Sequence, residues 1–258
     1  MKLNEFHKRM QFVDTGWFRT LLQMIPKTIG TFIIGKELRF QGMDQEQDCV
    51  VEFTSSVPCT SSSLDILDKK FNLVLNILEL SNIVGSVAPS EQLTFYFHPT
   101  NLEITKQCMT RTCQWTLPGL PETTLLNIIT TKYACEFTCP IVNFQALLKD
   151  IPERAQSVFL RCTKKEFQLN WEYLIDGNKY TGEITQETDP IYHIKCRKQT
   201  SQVFRQYDLK KHVEFQPLSS QVHISLDQEQ PLKIRYPFEY GSLCFYLSPV
   251  DVSKDFIS

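Results

Sequence analysis

Two stretches of this chain carry the same hydrophobic stripe. Phe18, Leu21, Leu22 and Ile25 recur as Phe144, Leu147, Leu148 and Ile151, and each set runs straight into a proline, Pro26 or Pro152. The i, i+3, i+4, i+7 spacing gathers apolar side chains on one helix face, and a proline cannot continue the helix. Two short amphipathic helices are therefore predicted. They lie close to half the chain apart, the mark of an internal duplication. After each helix the pattern changes to alternation, in Leu38-Arg-Phe-Gln-Gly-Met, then in Phe159-Leu-Arg-Cys and Phe167-Gln-Leu-Asn-Trp. That period suits half-buried strands.

The same order, helix then strands, is read once more in each half. The run from Phe71 to Val84 is helical in pattern and leads through Pro89 to Leu93-Thr-Phe-Tyr-Phe. In the second half Tyr207–Phe215 reads as a helix ahead of strands at Gln221–Leu226, Pro231–Tyr236 and Leu243–Leu247. Four helix-plus-strands modules in two domains give an α+β protein. Between the halves, Leu117-Pro-Gly-Leu-Pro-Glu-Thr-Thr breaks both periodicities and marks a connector. The expected division is 1–117 for the first domain, 118–135 for the connector and 136–258 for the second.

With 258 residues, 42% of them hydrophobic and 22% charged, the chain has apolar material for one large or two medium cores. No run of about 18 apolar residues occurs, and Met1–Met10 is charged and polar, so an intracellular protein with no membrane partner is expected. Nine cysteines, an odd count without a framework, suit free thiols in a reducing compartment. The net charge of −2 decides nothing about a polyanion partner, so any nucleic-acid surface must be local.

The motifs GxxxxGK[ST], GxGxxG, HExxH and GxSxG do not occur, and no enzyme chemistry or cofactor is expected. Cys108 with Cys113, and Cys135 with Cys139, lack a following histidine at ligand spacing. Buried structural thiols are expected there, and no metal. His7, His98, His193, His212 and His223 are scattered without a partnered carboxylate pattern, and each is read as structural or superficial.

Three segments bring a family into view. Leu38-Arg-Phe-Gln-Gly-Met-Asp-Gln and Tyr133-Ala-Cys-Glu-Phe-Thr-Cys-Pro-Ile-Val-Asn-Phe are the first two. The third and most specific is Pro217-Leu-Ser-Ser-Gln-Val-His-Ile-Ser-Leu, then Pro231-Leu-Lys-Ile-Arg-Tyr, then Gly241-Ser-Leu-Cys-Phe-Tyr-Leu-Ser-Pro. In order and spacing they resemble the proliferating cell nuclear antigen (PCNA) family, the sliding clamps of eukaryotes, archaea and some large DNA viruses. Asp68–Ser86 and Arg197–His212 match by pattern alone, which fits a divergent or viral member. The resemblance implies the DNA clamp fold: two similar domains, each with two helices packed on antiparallel sheets. Three such subunits would close a ring with helices toward the central hole. It also implies a homotrimeric polymerase processivity factor in the nucleus, or in a viral replication compartment. Its partners would be double-stranded DNA held non-specifically, DNA polymerase, the clamp loader and other clamp-binding proteins.

A clamp that slides needs weak phosphate contacts from lysine and arginine. The resemblance offers Arg19, Lys27, Lys149, Arg154, Lys210 and Lys211, of which Arg19, Lys149 and Lys210 fall at or near family basic positions. Taken singly, each is more readily a residue on a solvated helix face, and only convergence on one surface favours DNA. The second helix departs from the family: Phe71–Thr105 holds no lysine or arginine, and Glu79 stands where a cation is favoured. A peptide-docking pocket beside the connector would take Met43, Leu126, Ile128, Ile129, Pro231, Tyr246, Ser248 and Pro249. The apolar run Leu125-Leu-Asn-Ile-Ile either lines that pocket or packs on its own domain. Asp48 replaces an aliphatic residue of the family. Subunits would join by pairing Met109–Leu117 with Tyr180–Thr188, bringing in Cys113, Trp115, Tyr180, Glu183 and Thr185. Two alternatives stay open, a subunit of a heterotrimeric checkpoint clamp and a viral clamp-fold processivity or transcription factor that forms no ring.

Overall fold

The computed structural model describes residues 8–12, 15–25, 28–44, 46–58, 60–61, 70–88, 91–107, 111–122, 124–126, 128, 132–187, 191–211 and 218–250. In the first half the order is β1 (Lys8–Phe12), α1 (Gly16–Met24), β2 (Ile29–Ile34), β3 (Glu37–Met43), β4 (Cys49–Pro58) and β5 (Thr60–Ser61). There follow β6 (Phe71–Asn76), α2 (Ile77–Gly85), β7 (Leu93–Phe97), β8 (Asn101–Gln107) and β9 (Thr112–Pro118).

The second half repeats this order element for element. It runs β10 (Cys135–Pro140), α3 (Ile141–Lys149), β11 (Ser157–Cys162), β12 (Glu166–Ile175), β13 (Asn178–Glu187) and β14 (His193–Cys196). Then come β15 (Thr200–Arg205), α4 (Gln206–Lys211), β16 (Gln221–Leu226), β17 (Leu232–Phe238) and β18 (Gly241–Leu247). The pairing repeats as well. The order β5-β1-β7-β8-β9 is matched by β14-β10-β16-β17-β18, and β4-β3-β2-β6 by β13-β12-β11-β15. The duplication suggested by two nine-residue stretches thus extends to every element of each half.

By contacts the chain divides into unit 1, Met1–Ile128 with Glu239–Leu243, and unit 2, Ile129–Phe238 with Cys244–Ser258. The division after Ile128 falls inside the predicted connector. In unit 1 the core is aromatic: Phe18 on α1 meets Phe95 edge-on, with centroids 5.5 Å apart, and Phe32 sits 5.1 Å from Phe40. The α1 stripe is buried as its spacing requires, with Phe18, Leu21, Leu22 and Ile25 all at 3% exposure or less. The Glu239–Leu243 segment belongs here because Tyr240 stacks on Trp17 at 4.9 Å and its carbonyl accepts from the Ser56 N–H at 2.8 Å. Gly241, at φ 150°, allows that approach, since a Cβ there would strike the Thr54 carbonyl oxygen.

In unit 2, α3 buries Ile141, Phe144 and Leu148, while Phe137 and Phe167 stack face to face at 4.3 Å between the two sheets. α4 buries Leu209.

One predicted element changes. Phe71–Asn76 is a strand and the helix begins only at Ile77. Leu73, Val74 and Leu75 are all buried, so this segment is covered on both faces and loses the alternation that marks a half-buried strand. Consecutive apolar positions in a short run cannot separate a buried strand from a helix. Asn76 ends the strand and caps the helix, its Oδ1 accepting from the N–H groups of Leu78 and Glu79 at 3.0 and 3.2 Å. Of the predicted Tyr207–Phe215 helix, Gln206–Lys211 is helical and the remainder lies outside the described residues. Among the described residues no helix is long and apolar enough to cross a membrane.

Candidate functional site

Each unit holds two helices in mutual contact, α1 with α2 and α3 with α4. Of the six predicted DNA-facing cations, Arg19 is on α1, half-buried, and Lys27 lies outside the described residues. Lys149 ends α3 and Arg154 follows it, both exposed. Lys210 and Lys211 end α4. Lys210 turns inward in part: its Nζ donates to the carbonyl of Ile151 at 3.1 Å, placing a cation beside the C-terminal end of α3 where the helix dipole favours it. Lys211 lies over the Tyr207 ring, 5.6 Å from its centroid. The cations among the described helix residues are therefore concentrated in unit 2. α2 has none, and its Glu79 occupies the first turn, where a carboxylate is favoured by the helix N-terminus.

The predicted pocket residues divide between the units. Met43, Leu126 and Ile128 belong to unit 1, Pro231, Tyr246, Ser248 and Pro249 to unit 2, and Ile129 lies outside the described residues. In unit 1 the connector is held by one side chain that no sequence pattern singles out. Gln41 on β3 accepts from the Leu126 N–H at 2.8 Å and donates to the Leu126 carbonyl at 2.9 Å, a reciprocal pair that mimics one rung of a sheet. The backbone is thereby fixed to β3, two residues before Met43 in sequence, while the Leu126 side chain stays 42% exposed. At Leu126 the connector is bonded to its own unit, and it presents an apolar side chain outward in doing so. Asp48, the odd residue of this region, sits in a turn organised by Asp44, whose Oδ1 accepts from the N–H groups of Asp48 and Cys49 at 3.0 and 3.1 Å. In unit 2 Tyr246 is buried with Lys233 over its ring at 5.5 Å, and Ser248 and Pro249 are exposed. The Pro231 carbonyl accepts from the hydroxyl of Tyr133 at 3.2 Å, and burial pushes the Tyr133 phenol up to about 12.

The two predicted joining segments are both terminal strands of their sheets, β9 in unit 1 and β13 in unit 2. Cys113 and Trp115 are half-buried on β9. On β13, Tyr180 stacks on Tyr173 at 5.3 Å, and the Thr185 hydroxyl donates to Glu183 at 2.7 Å. Gly182 leaves room for the Trp171 ring, which a Cβ would strike. Met109 and Thr188, at the limits of the predicted segments, lie outside the described residues.

The expected buried thiols are found at Cys135 and Cys139, while Cys113 is half-buried and Cys108 lies outside the described residues. Cys135 and Cys139 both lie buried on β10, but the groups that Cys135 approaches are Cys162 and Cys196, far away in sequence. Spacing along the chain holds no signal for that cluster. His98, read as having no carboxylate partner, lies 3.9 Å from Glu103 across the β7–β8 turn.

Residues 127–250 match the family described as proliferating cell nuclear antigen, C-terminal domain. Among curated proteins, the chain is similar to proliferating cell nuclear antigen 2 of Drosophila melanogaster, at 23% identity over 234 residues, covering 85% of this chain and 87% of the relative. The matched stretch takes in α3, α4 and most of unit 2, and the relative's coverage extends the likeness into unit 1.

Proposed function

This chain is a divergent member of the PCNA family with its α+β clamp fold, and from that premise we propose that it works as a homotrimeric ring encircling duplex DNA. It is a sliding clamp, and its role is to tether rather than to catalyse. In this reading α1–α4 line the hole, and Arg19, Lys149, Arg154 and Lys211 supply sequence-independent phosphate contacts. Lys210 contributes mainly by holding the end of α3, and Lys27 adds to the lining. Polymerase, clamp loader and repair proteins dock through short hydrophobic peptides at the connector, with Met43, Leu126, Ile128, Ile129, Pro231, Tyr246, Ser248 and Pro249 as the proposed contact residues. The working compartment is the nucleus, or a viral replication compartment.

One observation carries the ring. In the repeat, β4 corresponds to β13 and β18 to β9. The outer edge of β4 is covered by Glu239–Leu243, which includes the opening of β18. Its counterpart β13 ends its sheet among the described residues, and so does β9, the counterpart of β18. A second copy offering β9 to β13 would repeat a pairing that the chain already makes once, and would hide two strand edges that otherwise invite aggregation. Such a contact is head-to-tail, and it closes into a ring when the rotation allows. Cys113, Trp115, Tyr180, Glu183 and Thr185 fall on the two strands concerned.

Solution mass tests this directly. Light scattering on the purified chain is expected to give about three times the 30.1 kDa subunit. A monomer at micromolar concentration refutes the ring. Tyr180→Asp, at an exposed position on β13, is expected to shift the trimer toward monomer.

A further inference from the structure

Unit 2 contains a buried corner made of sulfur. Cys135 opens β10 and faces Cys196, the last residue of β14, directly across the ladder. Cys162, the last residue of β11, comes from the other sheet of the unit. The three Sγ atoms all lie within 4.8 Å of one another. Cys135 and Cys162 are each 1% exposed and Cys196 is half-buried, so the corner has one side toward solvent.

We propose that Cys135, Cys162 and Cys196 form a site for a single thiophilic d10 cation, Zn(II) or Cu(I), held by three thiolates. Metal–thiolate bonds of about 2.3 Å around one ion put the sulfurs roughly 4 Å apart, within small rotations of the separations present. An all-sulfur set selects soft ions over calcium or magnesium, which take oxygen. Backbone carbonyls also face the cluster. Cys135 Sγ lies 3.1 Å from the Lys198 oxygen and 3.6 Å from that of Cys162, and Cys196 Sγ lies 3.8 Å from the latter. They accept from the thiols while these are protonated, and one of them, or a water at the open side, is available as the fourth ligand that zinc ordinarily takes. Burial pushes the Cys162 thiol up to about 12 and that of Cys135 higher still. Binding replaces each thiol proton by a sulfur–metal bond and releases the protons to solvent.

The fold does not demand these thiols. In unit 1 the strand pair corresponding to Cys135 and Cys196 is Lys8 and Ser61, and β2, the counterpart of β11, ends in Ile34. The three equivalent positions there hold no cysteine. Among the described residues the sulfur cluster belongs to one copy of the repeat, joining its two sheets at the point where β10 begins and β11 and β14 end.

The test uses the full chain, reduced and stripped of metal under anaerobic conditions. Titration with Co(II) as a spectroscopic probe for zinc is expected to give a sulfur-to-metal charge-transfer band that saturates at one ion per chain. Zn(II) should then displace it. A parallel titration with Cu(I) against a chromophoric chelator decides between the two ions by their relative retention. Cys196→Ser and Cys162→Ser should each weaken retention more than tenfold. Cys139→Ser, a buried thiol outside the cluster, should leave it unchanged, and thermal melts of the metal-free variants establish that they are folded. Metal should also raise the melting temperature of the wild type and of Cys139→Ser, but not of Cys196→Ser. A folded wild type that retains neither ion overturns the site, as does retention indifferent to Cys196→Ser.

Discussion

The two helix pairs of this protein occupy equivalent places in the repeat and are built from different chemistry. Ile77, Leu78, Glu79, Leu80 and Ser81 open α2 where Gln206, Tyr207, Asp208, Leu209 and Lys210 open α4. The inward position is the same, with Leu80 and Leu209 fully buried. The outward positions are apolar or aromatic in both, Leu78 at 48% and Tyr207 at 63% exposure. Between them the chemistry diverges. Gln206 donates to the carbonyls of Ile151 and Pro152 at 3.1 and 2.8 Å, and Lys210 adds a third bond to Ile151, so α4 is stitched to the end of α3 by polar groups. Asp208 pairs with Arg205 at 2.7 Å. α2 has Ile77 and Ser81 in place of Gln206 and Lys210. Duplication has kept the buried leucine that fixes the helix on its sheets and changed the groups around it. Positive charge on the described helices is a property of the second copy far more than of the first.

Core truncation tests whether the copies are equivalent where they look most alike. Phe18 and Phe144 are both buried at 1% exposure or less, and Phe→Ala at such a site costs about 3–5 kcal/mol. Phe18 also makes edge-on ring contacts with Phe95 and Trp17, each at 5.5 Å, and aromatic pairs of that kind add about 0.5–1.5 kcal/mol. Phe18→Ala is therefore expected to be the more damaging of the two in urea unfolding followed by circular dichroism. Equal losses would mean that the ring contacts of unit 1 contribute nothing beyond burial.

Charge reversal tests the difference. Lys149→Glu with Arg154→Glu removes two exposed cations of unit 2, and is expected to weaken binding of duplex DNA about tenfold at low salt. It should also make the salt dependence shallower, by about one unit of log–log slope for each phosphate that is no longer neutralised. Arg19→Glu in unit 1 should have a smaller effect, because one half-buried cation is removed and α2 offers no others. Lys210 is excluded from this set, since its bond to Ile151 would confuse binding with stability. Fluorescence anisotropy over a salt series, with solution mass as the control for assembly, separates the outcomes. An equal weakening from Arg19→Glu alone would move the DNA-binding surface toward unit 1.

How far the sequence foretells this arrangement depends on whether a feature is local. The α1 and α3 stripes and the alternating strands are legible because burial imposes a period on neighbouring residues. Phe71–Asn76 reads as helix because a strand buried on both faces has no period to show. The edge strands β9 and β13 are placed by family likeness alone, since an edge strand and an inner one differ in their neighbours in space. Gln41 is invisible for a related reason. A glutamine in an alternating strand is an ordinary outward residue, and only the fold brings Leu126 to it. The cysteine cluster is the extreme case, three strand ends with nothing in sequence to join them.

The smallest expected effect concerns a histidine of unit 2. His223 on β16 contacts the Thr138 hydroxyl through Nδ1 at 3.1 Å, and its pKa is lowered, chiefly by burial and further by Arg235 and Lys195, with Glu136 opposing. Above about pH 6.5, the ordinary histidine value, the ring is neutral whether the chain is folded or not, and it makes no pH-dependent contribution. As pH falls through that value the unfolded chain takes up a proton that the folded chain still refuses. Stability is therefore lost on acidification, across the window between the ordinary pKa and the depressed one, and the loss levels off below the latter. His223→Gln should flatten the stability profile in this window and leave it unchanged above. Trp171 is in unit 2 and Trp17 and Trp115 are in unit 1, so a Trp17→Phe, Trp115→Phe background confines the fluorescence readout to the unit concerned. A profile that keeps its slope after His223→Gln assigns the acid sensitivity to other groups.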